Sequence, residues 1–304
     1  MKCRKCSQKA VIKIYQHNLP LCKEHFLEFE EERVRKAIQD FQMIERKEKL
    51  LVVVSGGKDS LSVAYMLKKM GYTVHLLHIN LGIGKYSLLS QEKCEKFSSQ
   101  HSLPLTVISL VEEWGKGIGE LAHSTYKSTC SLCGMVKRYY FNKFAYENGF
   151  DAVVTGHNLD DMTSALLANI LGWRISYMVK QTPVLREEGK LKKKVKPLIY
   201  LTERETAAYA FLSSIDYIRE ECPFSANSTF LKVKHALNEI EKESPGTKFS
   251  FYRGLLKNLH LFKEKEKKPL LRECAICGFP TIMEVCSFCK TLRKEEVKKY
   301  ASHL

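Results

Sequence analysis

Ser55-Gly56-Gly57-Lys58-Asp59-Ser60 follows directly on the apolar run Leu50-Leu51-Val52-Val53-Val54. The run is short, β-branched and apolar at both parities, the pattern of a buried strand in a parallel sheet. It ends in two glycines, which let a backbone turn sharply and bring its amides close to an anion. Leu61, Ala64, Tyr65, Leu67 and Lys68 then keep helical spacing up to Gly71. A strand, a Ser-Gly-Gly turn and a helix N-terminus together make a phosphate site. Ser55 and Ser60 offer hydroxyls, Lys58 a positive charge, and Asp59 a carboxylate for a magnesium ion on the phosphates. The spacing G-x-x-x-x-G-K followed by Ser or Thr is absent, so this is not a Walker loop. The plain alternative is a Ser/Gly turn before an ordinary helix; the strand before it and the helix after it weigh against that.

At 304 residues the chain is long enough for one large core with small appendages. Its 44% hydrophobic and 27% charged residues are ordinary, but a net charge of +15 is not. That excess suits a polyanionic partner, with nucleic acid the leading candidate, although a merely soluble basic protein would carry it too. Lysine-rich stretches at Lys190–Lys196, Lys263–Lys268 and Arg293–Lys299 are either local footprints or solvated faces. No stretch approaches the ~18 apolar residues of a membrane span. Cys3 and Cys6 stand where a signal peptide would need its charged and apolar regions, so a cytoplasmic site of action is expected. Eleven cysteines there read as metal ligands rather than disulfides.

The cysteines fall into three groups and one remainder. Cys3-x-x-Cys6 with Cys22-x-x-His25 suits tetrahedral zinc, the β-like run Val11–Tyr15 lying between the pairs. His25 is its least certain ligand. Cys274-x-x-Cys277 with Cys286-x-x-Cys289 is the stronger signal, two knuckles close together. Four ligands each leave no open position, so both zinc ions are expected to be structural and to supply folding energy to modules without a core. Cys130-x-x-Cys133, before a helix, and the distant Cys222 do not close a zinc site. They suit an iron–sulfur cluster with one iron left open, or a redox pair carrying a persulfide. Cys94 reads as a core thiol.

Residues 1–25 are expected to form a zinc ribbon and 26–49 a linking amphipathic helix. Residues 50–262 form the catalytic domain, and 263–304 a linker, a second zinc ribbon and a basic tail. Within the middle region strands at Leu50–Val54, Thr73–Ile79, Leu105–Ser109 and Ala152–Thr155 alternate with helices at Asp59–Met70, Ser87–Gln100, Gly134–Asn148 and Leu159–Leu171. A basic hairpin-like stretch at Lys180–Tyr200 and helices at Thr202–Ser213, Thr229–Glu243 and Lys248–Phe262 follow. Such alternation implies an α/β fold with a doubly wound parallel sheet, flanked by the two zinc modules. Ligands bind beyond the carboxyl ends of such strands, which brings Ser55–Ser60, Ile79 and Gly156–Asp161 around one pocket. Gly156-His157-Asn158-Leu159-Asp160-Asp161 closes a strand and opens a helix. It reads as a good N-cap and also as paired carboxylates for magnesium or proton transfer.

The loop Ser55–Ser60 resembles the S-G-G-x-D-S loop of the N-type ATP pyrophosphatases, the PP-loop proteins, which cleave ATP between the α and β phosphates and adenylate a substrate oxygen. With Cys130, Cys133, Gly156–Asp161, Cys222 and both terminal cysteine sets in this order, nearly the whole chain resembles the tRNA 2-thiouridine synthetases of the TtcA/TtuA family. The TtuA branch thiolates the ribothymidine of the tRNA T-loop; a related branch acts on the wobble uridine, and His25 favours the former.

The resemblance implies that Cys130, Cys133 and Cys222 hold a 4Fe-4S cluster, beside ATP, magnesium and two zinc ions. ATP would touch Val53, Val54, Ser55, Gly56, Gly57, Lys58, Asp59, Ser60, Ile79, Lys137, Gly156 and Asp161. Lys137, Asp161 and Asp59 would carry the catalysis. It also implies tRNA and a ubiquitin-like carrier with a C-terminal thiocarboxylate as partners, and a homodimer. Amidating synthetases and the tRNA lysidine synthetase share the loop but do not need the three cysteines. A non-catalytic RNA-binding protein would not need Asp59.

Overall fold

The computed structural model describes residues 1–225, 229–263, 270–294 and 296–297. Residues 264–268 of the expected linker and the tail from 298 onward lie outside them. The hairpin β1 (Ile12–Ile14) and β2 (Leu19–Leu21) sits within the first cysteine set, and α1 (Lys23–Asp40) follows. Then come β3 (Lys49–Val54), α2 (Lys58–Lys69), β4 (Thr73–Asn80), α3 (Gly84–Gln100) and β5 (Leu105–Ser109). The short helices α4 (Leu110–Trp114) and α5 (Ile118–His123) lead into α6 (Thr129–Glu147), β6 (Ala152–Val154), α7 (Leu159–Leu171) and α8 (Ile175–Met178). The basic stretch forms β7 (Val184–Leu185) and β8 (Lys193–Val195), followed by α9 (Glu203–Leu212), α10 (Thr229–Glu243), α11 (Thr247–Asn258) and α12 (His260–Lys263). The second cysteine set carries β9 (Arg272–Glu273), β10 (Pro280–Thr281) and α13 (Ser287–Leu292).

Six strands pair in the order β5-β4-β3-β6-β8-β7, all neighbours parallel except β7 with β8. This is the doubly wound sheet that the alternation implies. Its order reverses between β3 and β6, the point at which such sheets bind ligands. β3 is apolar at both parities because it is covered twice. Leu50, Val52 and Val54 face the large core that includes α1, α2, α7 and α9, while Leu51 and Val53 face α6 through Ala145.

Three helices differ from the sequence reading. The helix expected to run on to Lys49 ends at Asp40, because Gln42 takes φ 47° and Met43 folds back, its N–H donating to Ile38 O at 2.9 Å. At its other end α1 begins at Lys23, so His25 lies in its first turn. Helix α6 begins at Thr129, not Gly134. Ser128 accepts from Ser131 N at 3.4 Å and caps it, which puts Cys130 in the first turn and Cys133 in the next, both inside the helix. The expected Lys248–Phe262 helix is divided into α11 and α12.

The core is continuous from the first cysteine set into the sheet, since Cys3, Cys22 and Phe26 join the same cluster as Leu50 and Val52. Buried charge ties the outer helices to it. Arg33 of α1 pairs with Glu30 at 3.1 Å and with Glu205 of α9 at 2.9 Å. Lys248 of α11 pairs with Asp160 of α7, and both are almost fully buried. Replacing Lys248 by Ala strands a buried carboxylate, so urea unfolding should show a loss of about 3–5 kcal/mol. A loss below about 1 kcal/mol would mean that Asp160 finds water instead.

Candidate active site and metal centres

The phosphate loop is built by close approach of backbones. Gly56 has φ +74°, and a Cβ there would stand 2.6 Å from Ser90 O of α3. A Cβ on Gly156 would stand 2.7 Å from Ser60 N and 2.9 Å from the Asp59 carbonyl carbon. Only glycine therefore lets the end of β6 lie against the loop after β3. Ser60 ties the turn, accepting from Ser55 N at 3.1 Å and donating to Gly57 O at 3.0 Å. The first turn of α2 points its amides at the same place, with Gly57 as N-cap.

A cavity of about 360 Å³ opens above this loop. Val53, Val54, Ser55, Gly57, Asp59, Ser60, Ile79, Lys137, Gly156 and Asp161 all line it. Gly56 lies behind the loop against Ser90. Lys58, expected at the phosphates, turns away: its Nζ meets Asp59 at 3.1 Å and Glu203 at 2.9 Å, and it lines a separate cavity of about 720 Å³ beside β1 and α10. His157, within the expected Gly156–Asp161 segment, also lines the smaller cavity, as do His78, Tyr86 and Phe141, which the sequence reading did not name. His78 and Tyr86 follow from the same strand-end rule that singled out Ile79, applied one residue back and into the start of α3. Phe141 carries no such signal.

The carboxylates are crowded and individually held. Asp59 accepts from Asn158 Nδ2 at 3.1 Å and from the Thr206 hydroxyl. Asn158 and Asp161 cap α7 reciprocally, through Asp161 N to Asn158 Oδ1 at 3.1 Å and Asn158 N to Asp161 Oδ2 at 3.3 Å. Lys234 of α10 bridges Asp161 at 3.3 Å and Glu203 at 2.7 Å. Burial pushes the Asp161 carboxyl up, Lys234 opposes that, and Asp59 adds to it. Burial also works against charge on Glu203, but Lys234 and Lys58 outweigh it and bring the carboxyl down to about 2. The buried His78 ring donates from Nδ1 to Val54 O at 2.9 Å, leaving Nε2 without a partner.

Cys130, Cys133 and Cys222 converge beside this cavity. Cys130 Sγ donates to Phe224 O at 3.3 Å, and the Phe224 ring packs where a side chain on Gly119 would stand, 3.0 Å away. Burial raises the Cys133 thiol, Lys137 opposes it, and Cys222 and Cys130 raise it further. Tyr86 is pushed up by burial and by Cys222 and Cys133. Lys137 and Tyr86 thus belong to the cavity and to the cysteine group at once. The group is open, with Cys130 exposed.

The terminal sets are arranged differently. Among the described residues, Cys3, Cys6, Cys22 and His25 form one group and Cys274, Cys277, Cys286 and Cys289 another, the ligand atoms within each all lying within 4.8 Å of one another. Contacts of 3.3 Å for Cys22 Sγ to His25 Nδ1, 3.8 Å for Cys6 to Cys22 and 3.7 Å for Cys277 to Cys286 suit donors drawn around one tetrahedral zinc ion. Cys130, Cys133 and Cys222 form no such tight group, and a donor set in which each thiolate takes its own iron does not need one.

Residues 45–249 match the family model described as thiamine biosynthesis protein (ThiI), and residues 2–27 match that of the 2-thiouridine synthetase TtuA N-terminal LIM domain. The tRNA-5-methyluridine(54) 2-sulfurtransferase of Pyrococcus horikoshii is 48% identical over 297 residues, covering 97% of this chain and 95% of that protein. The chain belongs to the TtuA family of tRNA 2-thiouridine synthetases. The Thermotoga maritima protein of the same name is 45% identical over 305 residues, covering 98% of both chains. The solved U34-tRNA thiolase NcsA from Methanococcus maripaludis, with its 4Fe-4S cluster, superposes with a TM-score of 0.82 at 28% identity, covering 97% of this chain and 96% of that one.

Elemental analysis of protein purified without chelator should find about two zinc ions per chain, one for each closed four-ligand set. Cys274→Ser with Cys277→Ser should lower this to about one and expose the C-terminal module to protease. Zinc remaining at two in that variant would show that the set does not hold it.

Proposed function

We propose that the chain thiolates the C2 position of 5-methyluridine 54 in tRNA, activating the carbonyl oxygen with ATP. The observation that carries this reading is adjacency: the phosphate loop lines the cavity, the three cysteines lie beside it, and Lys137 and Tyr86 of the lining border the cysteine group. A phosphate loop alone fits any adenylating enzyme, and cysteines alone fit a redox protein. Their meeting fits a reaction that first adenylates an oxygen and then replaces it with sulfur.

A uracil carbonyl oxygen is a poor leaving group. Attack by O2 on the α-phosphorus of ATP releases pyrophosphate and converts that oxygen into part of AMP, which leaves well. Asp59, fixed by Asn158 and Thr206, presents a carboxylate for magnesium on the phosphates. The loop amides and Lys137 stabilise charge at the α-phosphate. Asp161, its carboxyl raised by burial, is the base that the cavity offers for the proton lost from N3. His78 Nε2, buried and unpartnered, is an acceptor for the amino group of a base.

Cys130, Cys133 and Cys222 fit a 4Fe-4S cluster with one iron left open, since they supply three thiolates around an accessible space. Bound there, the cluster supplies an iron that stores sulfide. Cys130 lies in the first turn of α6 and Cys133 in the next, which sets both near the N-terminal end of that helix. Placing the target at position 54 rests on the relatives of that name at 48% and 45% identity, against 28% for the U34 thiolase. A thiocarboxylated ubiquitin-like sulfur donor and a homodimer complete the reading and rest on the family resemblance. Cytoplasmic action follows from the substrate and from thiols that need a reducing compartment.

The test is a reaction of iron-reconstituted protein with tRNA that carries 5-methyluridine at position 54 but no sulfur, ATP and sulfide, read by nucleoside mass spectrometry and by AMP release. The expected products are 2-thio-5-methyluridine and tRNA-dependent AMP. Asp59→Ala should lower AMP formation about 100-fold or more, the scale of losing a metal-directed group. Cys130, Cys133 and Cys222 changed together to Ala should leave ATP binding intact and yield no thiolated nucleoside. Release of ADP, or sulfur found only at the wobble uridine, would refute the reading.

A further inference from the structure

Strand β8 lies between β6 and β7, where a covered strand shows apolar side chains on both faces. Val195 does so and joins the main core. Lys194 does the opposite. It pairs in register with Val153, so the two side chains point to the same face, and Val153 packs there with Ala145 and Phe150. Lys196, two residues on, shares that face. Arg138 of α6 stands opposite Lys194 closely enough to repel it, and Lys194 in turn repels Lys196. Lys196 and Lys137 both act on His157, at the cavity mouth. These side chains form one row from the cavity outward between α6 and β8.

The other lysines of this hairpin are compensated. Lys190 meets Glu273 at 2.8 Å, Lys192 meets Glu187 at 2.8 Å and Lys193 meets Glu48 at 2.7 Å. Among the described residues no carboxylate pairs with Lys137, Arg138, Lys194 or Lys196; Lys196 has only the Thr182 carbonyl, at 2.8 Å. Burial pushes Lys194 and Lys196 down to about 8, with repulsion from the neighbouring cations added. A half-buried row of like charge is costly without an anion. The phosphates of ATP do not supply one. Their loop follows β3, and β8 is two strands away, about 10 Å at the usual strand spacing. A ligand that enters the cavity and also extends along the row is a polyanionic strand.

We propose that Lys194, Lys196 and Arg138 bind the phosphodiester backbone of RNA beside the target uridine, so that the strand runs between α6 and β8 and its base turns into the cavity at Lys137 and His157. The proposal rests on the tRNA reading above and deepens it by naming the surface. Phosphate contacts of this kind set register and orientation while the cavity reads the base.

The test measures binding of unmodified tRNA to the full chain at several salt concentrations, with ATP binding by calorimetry alongside. Lys194→Met with Lys196→Met removes two charges at nearly constant volume. It should weaken tRNA binding about tenfold or more and reduce the slope of log affinity against log salt by about two. ATP affinity should be unchanged, and the melting temperature equal to or above that of the unaltered protein, because buried charge is removed. Arg138→Ala, at an exposed position, should weaken tRNA binding in the same direction without touching the fold. Unchanged affinity and slope in both variants would overturn the proposal. So would lost ATP affinity with tRNA binding intact, which would assign the row to the nucleotide. Failure of the unaltered protein to bind tRNA would defeat the tRNA reading itself, and the assignment of the row with it.

Discussion

Asp59, Asp160, Asp161 and Glu203 crowd the point where the strand order reverses, and Lys58, Lys234 and Lys248 hold them there. Carboxylates this close cannot all stay ionised without cations among them. Each lysine comes from a different element, so neutralising the site also assembles it. Lys58 belongs to α2, Lys234 to α10 and Lys248 to α11, while Glu203 opens α9. Helices remote in sequence are docked on the sheet by the charges that serve the active site. The bare backbone of Gly156 makes this possible, because it lets the end of β6 touch the turn after β3 and so brings Asp161 beside Asp59.

The two cysteine modules support the same site from outside. The first module joins the main core, and the helix it opens carries Arg33, which spans from Glu30 to Glu205 at the start of α9. The last module leans on α6. Phe288 stacks on Tyr139 with ring centroids 3.6 Å apart, and Trp114 donates to the Tyr140 hydroxyl at 2.8 Å. Helix α6 also bears Cys130, Cys133 and Lys137, so the last cysteine module helps to hold the helix that brings these residues beside the cavity. This gives the closed four-ligand sets a structural role outside the cavity.

Much of the fold was legible because its signals are local. The apolar run before Ser55, the paired glycines and the helical spacing after them span only about twenty residues. Strand and helix alternation is likewise a matter of short periods. Boundaries were less legible. The start of α6 depends on Ser128 as a cap, and the end of α1 on a left-handed Gln42, a residue with no special preference for that conformation.

The sequence by itself determined a parallel sheet with a phosphate loop and two closed sets of cysteine and histidine suited to metal, because each rests on spacing between near neighbours. Only the tertiary structure decided which charges meet. It turned Lys58 to Glu203 instead of the phosphates, set Lys234 between Asp161 and Glu203, and brought Cys222 to Cys130 and Cys133 across some ninety residues of chain. It also left Lys194 and Lys196 without carboxylates while Lys190, Lys192 and Lys193 found theirs. A run of lysines looks uniform as letters. Its members separate only when alternation along β8 sends them to different faces, and the partner of a charge depends on distance in space, which no local pattern records.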